Sequence, residues 1–304
     1  MLSAAQLRHF SEKGWVIREA VFTAAECTAM RTAGERQLRR LRDAEAAAGD
    51  TRDPELWGPS EDEEDGGSYG RVVVPMRGEP LFRELSCSPK MLPAMQQLLG
   101  TDDLRFEDDR GPLDARLFIT APHPRRSDPR MRALLRDSAE FVWHRGIRPK
   151  WGIRAAEPAP DGRPLVTSWL NQCVMLSDAL DSDAGGTAML SASHLADTET
   201  ADGLPPPVEA AWSGQKRNEG IANQVEDWAG LLQRREHICC PAGSVIHFSE
   251  ATIHSGVAVL ADQPRYALFF TATRDCDGRT DRRLGWRDPA VGPWGAPEGE
   301  AARL

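Results

Sequence analysis

Apolar positions recur at helical spacing near the start of this chain and at alternating spacing near its end. Leu7 and Phe10 share one face of a segment that Ser3 can cap and Gly14 can end, which predicts a short helix over 3–13. Trp15-Val16-Ile17 begins a strand. Thr23, with Glu26 three residues on, forms a capping box and predicts a second helix running to about Ala48. Its Arg36, Arg39, Arg40 and Arg42 read as a solvated face. Residues 49–70 are rich in Gly, Pro and acids around Glu61-Asp62-Glu63-Glu64-Asp65, which predicts a loop. A strand is expected at 71–75 and a helix at 89–100, ended by Gly100. The stretch 101–165 mixes short strands with Pro-rich loops.

From Leu165 the pattern turns to β. Residues 166–176 are a long apolar run, and Asp183-Ala184-Gly185-Gly186 is a turn. Residues 196–235 read as a polar, partly helical insertion. Strands are expected at Ser244–Ser249, Ile253–Leu260 and Arg265–Thr273, with Asp262-Gln263-Pro264 turning the chain into the last. Consecutive short strands of period two indicate a sandwich or barrel. The tail from Asp275 is rich in Gly, Pro and Arg. No internal repeat is visible. The expectation is one domain over 1–304, mainly β, with flanking helices within 3–48.

Composition narrows the class. The 304 residues are 40% hydrophobic and 27% charged, as in a globular protein. No run approaches the roughly 18 apolar residues of a membrane span, and the N-terminus has no apolar leader core. Six scattered cysteines read as reduced thiols, so the expected setting is cytoplasmic. The formal charge of -9 argues against a nucleic-acid polymer as partner. Oligomeric state is not legible.

Two stretches carry candidate chemistry: Trp143-His144-Arg145-Gly146 and Ile253-His254-Ser255-Gly256, with Arg265 beyond. A non-haem iron oxygenase holds its metal with two histidines and a carboxylate on one face of an octahedron. The carboxylate ordinarily stands two residues after the first histidine, because alternate strand residues point to the same side. Here that position is Gly146, and none of the seven histidines has Asp or Glu two residues on. The blander readings are a structural histidine at 144, a barrel-lining histidine at 247, a surface arginine at 265 and a turn-stabilising histidine at 194.

The order helix, strand, helix, Trp143-His144, Gly185-Gly186 through Ser193-His194, then Gly243-Ser244 to His254 and Arg265 resembles the phytanoyl-CoA dioxygenase family. Ser191-Ala192 stands where that family has Pro-Gly. The distal histidine and the arginine are 265 − 254 = 11 residues apart, as in the family; the histidines are 254 − 144 = 110 apart, lengthened by the insertion. The resemblance implies a double-stranded β-helix (a jelly-roll, cupin-like barrel) and Fe(II)/2-oxoglutarate chemistry with O2 as cosubstrate. It implies His144 and His254 as metal ligands and Arg265, Asn171 and Ser255 around 2-oxoglutarate. Gly146 departs from the family's Asp. That departure resembles the halogenases of this group, where a halide takes the freed position. Losing the carboxylate opens one coordination site and removes one negative charge, and a chloride restores both. The expectation is therefore a halogenase using Fe(II), 2-oxoglutarate and chloride. The alternatives are a hydroxylase completed by another carboxylate, Glu250 or Asp178, and a metal-free binding module.

One feature bears on the substrate. Residues 125–154 hold nine basic residues against three acidic ones in an acidic chain. Arginine and lysine beside the iron motif suit a phosphate. Arg145, Arg148, Lys150, Trp151 and His194 are the candidate substrate contacts, with Trp169 a further stacking surface. The expected partner is a freestanding small molecule, in its finest form a purine nucleoside monophosphate chlorinated on the ribose.

Overall fold

The computed structural model describes residues 1–48, 71–76, 79–102, 104–106, 115–136, 143–146, 167–196, 222 and 224–274. Helix α1 (Ala4–Lys13) starts at the Ser3 capping box and stops at Gly14, whose φ of 87° is left-handed. Strand β1 (Trp15–Arg18) follows. Helix α2 (Ala24–Ala48) opens on a reciprocal cap, with Glu26 N–H donating to Thr23 Oγ1 at 3.2 Å and Thr23 N–H donating to Glu26 Oε2 at 2.7 Å. Next come β2 (Arg71–Pro75), α3 (Pro80–Ser86), α4 (Leu92–Leu99), β3 (Leu104–Phe106), β4 (Ala115–Thr120) and α5 (Pro129–Arg136). The second half carries β5 (Trp169–Met175), β6 (Thr187–Leu190), a 3₁₀ turn (Ser193–Leu195), α6 (Trp228–Gln233), β7 (Arg235–Ile238), β8 (Val245–Ser249), β9 (His254–Gly256) and β10 (Arg265–Arg274).

Two antiparallel sheets result. The larger runs β1-β8-β5-β10-β4-β2, with β3 added to the end of β10; the smaller runs β7-β6-β9. Period two sorts the large sheet's side chains. Val174 of β5, Val245 of β8 and Leu268 and Phe270 of β10 pack with Met30, Phe82, Met95 and Leu98 from α2, α3 and α4. Their neighbours Cys173, Met175, Ile246, Phe248 and Ala267 meet Met189 and Ile238 of the small sheet. The first layer anchors the helices, and the second is the interior between sheets, where a jelly roll places its site.

Several expectations change. Helix α3 was not foreseen, although Pro80 at its first turn signals a helix start. The strand expected over 253–260 ends at Gly256. Val257–Leu260 stay buried but bond piecemeal, Val257 N–H to Gly186 O and Leu260 N–H to Asp183 O, so no ladder forms. Only the insertion's edges, including α6, fall among the described residues. The acidic loop and the tail fall outside them. Cys27, Cys87, Cys173, Cys239 and Cys240 are free thiols, as expected. Among the described residues, no helix is long and apolar enough to cross a membrane.

Candidate active site

Strand β9 pairs with β6 on one side, and on the other it meets the chain at His144. His144 N–H donates to His254 O at 3.0 Å and His254 N–H donates to His144 O at 2.9 Å. Residues that exchange both bonds stand directly opposite, so their side chains share one face. The two imidazoles lie 4.3 Å apart between centroids, tilted by 53°. Buried Trp143 packs behind them with Ile253 and Val257.

The chemistry of the pair suits a divalent metal. His254 Nδ1 lies 2.8 Å from Thr252 O. A carbonyl only accepts, so Nδ1 carries the proton and Nε2 keeps its lone pair outward, the tautomer a metal needs. Burial lowers the His254 pKa and keeps the ring neutral. Phe248 holds it from the side with an edge contact at 4.8 Å.

Both histidines line a cleft of about 170 Å³ together with Gly146, Asn171, Phe248, Glu250, Arg265 and Thr271. Arg265 starts β10 and is only 4% exposed. Its Nη1 donates to Gly185 O at 2.5 Å and Gly186 O at 2.6 Å, and its buried Nε has no hydrogen-bond partner among the described residues. Gly185 holds φ 70°, which turns its carbonyl onto the guanidinium. A buried cation met only by carbonyl dipoles calls for an anion. A dicarboxylate fits that need, and the planar guanidinium can grip it with two parallel bonds. The residues present therefore fit both the metal and 2-oxoglutarate. Asn171 stands opposite Thr271 across β5 and β10 and accepts its hydroxyl proton at 2.7 Å.

Glu250 sits in the same cleft, 7% exposed, with Thr271 Oγ1 3.2 Å from its Oε1. Gly146 N–H donates to Glu250 O at 2.9 Å. A Cβ added at Gly146 would lie 2.7 Å from Glu250 Cδ and closer still to Oε2. The other carboxylate that sequence allowed, Asp178, is committed elsewhere; its Oδ1 accepts from Ala242 N–H at 2.8 Å. Among the described residues, no three His, Cys, Asp or Glu side chains already gather around one point.

Other expected site residues lie away from the cleft. Ser255 points to the opposite side of β9, and its hydroxyl bonds Gly256 O at 3.0 Å. His194 is buried under α1, its Nε2 3.1 Å from Ser11 O, and burial lowers its pKa to about 4. Arg145 turns outward and ties down both edges of the insertion, donating to Ala196 O at 3.0 Å and Gln224 Oε1 at 3.1 Å. Trp169 is buried against Ala251. His247 is buried on the helix-facing side of β8 beside Gln172, with its pKa lowered to about 3 by burial. Arg148, Lys150 and Trp151 lie outside the described residues. In the basic stretch, Arg132 and Arg136 pair with Asp183, and Arg126 pairs with Asp262. Sequence reasoning missed Arg71 and Arg116, which line the cleft from β2 and β4. Only strand order brings them there: β4 lies beside β10, and β2 beside β4.

Comparison with known proteins agrees with this geometry. The sequence profile of the phytanoyl-CoA dioxygenase family (PhyH) matches residues 10–267. Comparison with curated protein sequences gives no match. Among solved structures, the chain is similar to the non-heme alpha ketoglutarate dependent carbocyclase SnoK from nogalamycin biosynthesis. The TM-score is 0.60 at 19% identity, over 100% of this chain and 91% of that one. It is also similar to HygX from Streptomyces hygroscopicus, solved with nickel and 2-oxoglutarate bound, with TM-score 0.56 at 16% identity over 90% and 88%. A third is EctD from S. alaskensis, solved with 2-oxoglutarate and 5-hydroxyectoine, with TM-score 0.55 at 18% identity over 98% and 81%. These likenesses show a shared jelly-roll fold. The profile spans most of the sequence, and the chain belongs to the phytanoyl-CoA dioxygenase family, with the Fe(II)/2-oxoglutarate-dependent oxidoreductase character of that family.

Proposed function

We propose that this protein oxidises an unactivated carbon of a small, anionic molecule, consuming 2-oxoglutarate and O2 and releasing succinate and CO2. One observation carries the reading. A facing histidine pair and a buried arginine whose Nε has no partner among the described residues open onto the same cleft. Iron bound there supplies the oxidising chemistry. The chain's own residues do the rest. His144 and His254 donate their ring nitrogens, and Thr252 O holds the His254 tautomer. Arg265 grips a carboxylate of the cosubstrate. Phe248, Phe269 and Phe270 line the cleft and limit water.

Arg71 and Arg116 in the cleft support an anionic substrate. Arg126, Arg132 and Arg136 pair with aspartates, which favours the other half of the basic stretch as the phosphate site. A nucleoside monophosphate then rests on Arg148 and Lys150 together with the two cleft arginines. HygX has also been solved with hygromycin B bound, so a protein of this fold takes a small molecule.

A second reading is halogenation, which the bare Gly146 favours. With no side chain at that position, a halide has a coordination site beside the histidines. The hydroxylating reading leads because the Glu250 carboxylate lies where the missing side chain would begin.

The test is product mass spectrometry on a nucleotide and nucleoside panel with Fe(II), 2-oxoglutarate and O2, with and without chloride. A hydroxylated product in both salts supports the leading reading, and a chlorinated product supports the second. Succinate formation that no substrate stimulates, with no modified product, would remove the proposed substrate class. Arg148→Ala or Lys150→Ala should raise KM for a monophosphate far more than for its nucleoside.

A further inference from the structure

The backbone around Gly146 is out of simple register. His144 pairs with His254, so an uninterrupted antiparallel ladder would set residue 146 against Thr252. Instead Gly146 N–H bonds Glu250 O. Residues 249–252 close a turn, with Thr252 N–H donating to Ser249 O at 2.8 Å and Ala251 N–H to Ser249 Oγ at 3.2 Å. Two residues are taken up in that turn, as in a bulge that re-aims a side chain beside an active site. The turn carries Glu250 to the position facing Gly146.

Its side chain fills the gap. The Oε2 oxygen occupies the space of an absent Cβ at 146, and Oε1 lies 3.2 Å from Thr271 Oγ1 on the floor of the cleft. Among the described residues, no lysine or arginine pairs with this carboxylate. The only hydroxyl among them within reach of this group, 7% exposed, is that of Thr271, whose proton Asn171 accepts at the shorter 2.7 Å. A group that can accept about four hydrogen bonds is thus under-satisfied. Glycine at 146 is what admits it; any larger residue would meet the Glu250 carboxyl carbon at 2.7 Å.

Resting on the iron reading above, we propose that Glu250, four residues before His254, supplies the metal's carboxylate ligand in place of the residue missing at 146. The facial set is then His144, His254 and Glu250. The carboxylate group has moved from one strand to the turn opposite, and its charge and donor atoms stay in the same space. Among the described residues the three donors are not drawn to one point, so to hold a metal the Glu250 carboxylate would turn inward from Thr271.

Co(II) titration in the presence of 2-oxoglutarate, followed by its visible absorption, tests this without turnover. The wild type binds Co(II), and Glu250→Ala binds it more weakly by at least about tenfold to a hundredfold, the size of effect that even outer partners of a metal site have. Glu250→Gln keeps the volume and the Thr271 contact, and shows the same loss. Adding Gly146→Asp to Glu250→Ala returns the carboxylate to the other strand and restores most of the affinity. Wild-type affinity in Glu250→Gln overturns the proposal. Affinity that stays lost in the double variant also overturns it, since Glu250 then acts by packing. A wild type that takes up no Co(II) overturns the iron reading itself and this proposal with it.

Discussion

His144 and His254 are joined through their backbones before any metal joins their rings: each donates its N–H to the other's carbonyl, at 3.0 and 2.9 Å. The facing of the two histidines is thus set by strand pairing, and that pairing does not depend on either side chain. His144→Ala and His254→Ala should each leave the fold intact, with a melting temperature near that of the wild type. Each should lower Co(II) or Fe(II) affinity by about a hundredfold or more. Unchanged metal affinity in either variant would remove that residue from the site.

Arg265 does two jobs that separate experimentally. In the proposed reading it neutralises the cosubstrate, and in the structure it satisfies Gly185 O and Gly186 O. Arg265→Ala should weaken 2-oxoglutarate by roughly ten- to a hundredfold, since a hydrogen bond to a charged group contributes about 1.5–3 kcal/mol. It should also destabilise the protein by about 1–3 kcal/mol, because buried carbonyls lose their donor. Calorimetric titration reads the first effect and denaturant unfolding the second. Full 2-oxoglutarate affinity in this variant moves the clamp to Arg71 or Arg116.

These two sites show what the sequence made legible. The capping boxes at Ser3 and Thr23 and the strand at Arg71–Pro75 follow from local patterns, and the structure realises them. The family resemblance named His254 and Arg265, and the two line one cleft. Arg71 and Arg116 were illegible, since their place in the cleft depends on strand order, which no local pattern encodes. Ser255 was placed around 2-oxoglutarate by the resemblance, and period two sends it to the other side of β9. His194 was drawn in by its motif, and burial under α1 keeps it out. Glu250 was visible only as one of two spare carboxylates. A slip of two residues in register decides between them, and register is a tertiary property.

His194 and His247 make stability depend on pH. Burial lowers their pKa values from 6.5 to about 4 and about 3, so both are neutral in the fold. In the unfolded chain each takes up a proton near its ordinary value. Between pH 6.5 and 4 the unfolded state therefore binds more protons, and stability falls as pH falls through that window. For His194 the loss is roughly 3 kcal/mol once pH reaches its folded value, below which it contributes no further change. His194→Gln can still donate to Ser11 O and cannot titrate. Its unfolding midpoint should fall less steeply between pH 6.5 and 4 than that of the wild type. Parallel slopes would mean that His194 is protonated in the fold.

The last prediction concerns halide. Glu250 and a chloride would compete for the space beside Gly146, and both carry one negative charge. At about 4 Å, two like charges repel by about 4 kcal/mol at an effective dielectric of 20, roughly a thousandfold in halide affinity. The wild type should therefore turn over equally in chloride, bromide and a halide-free salt, and return the same hydroxylated product in all three. Glu250→Ala reverses the situation: the vacancy at Gly146 becomes real, and its residual metal binding should tighten with chloride. Gly146→Asp alone should be the poorest variant, because its new side chain runs into the Glu250 carboxyl group. A wild-type enzyme that makes a brominated product in bromide would decide for halogenation. It would mean that Glu250 swings out of the cleft when the metal is bound.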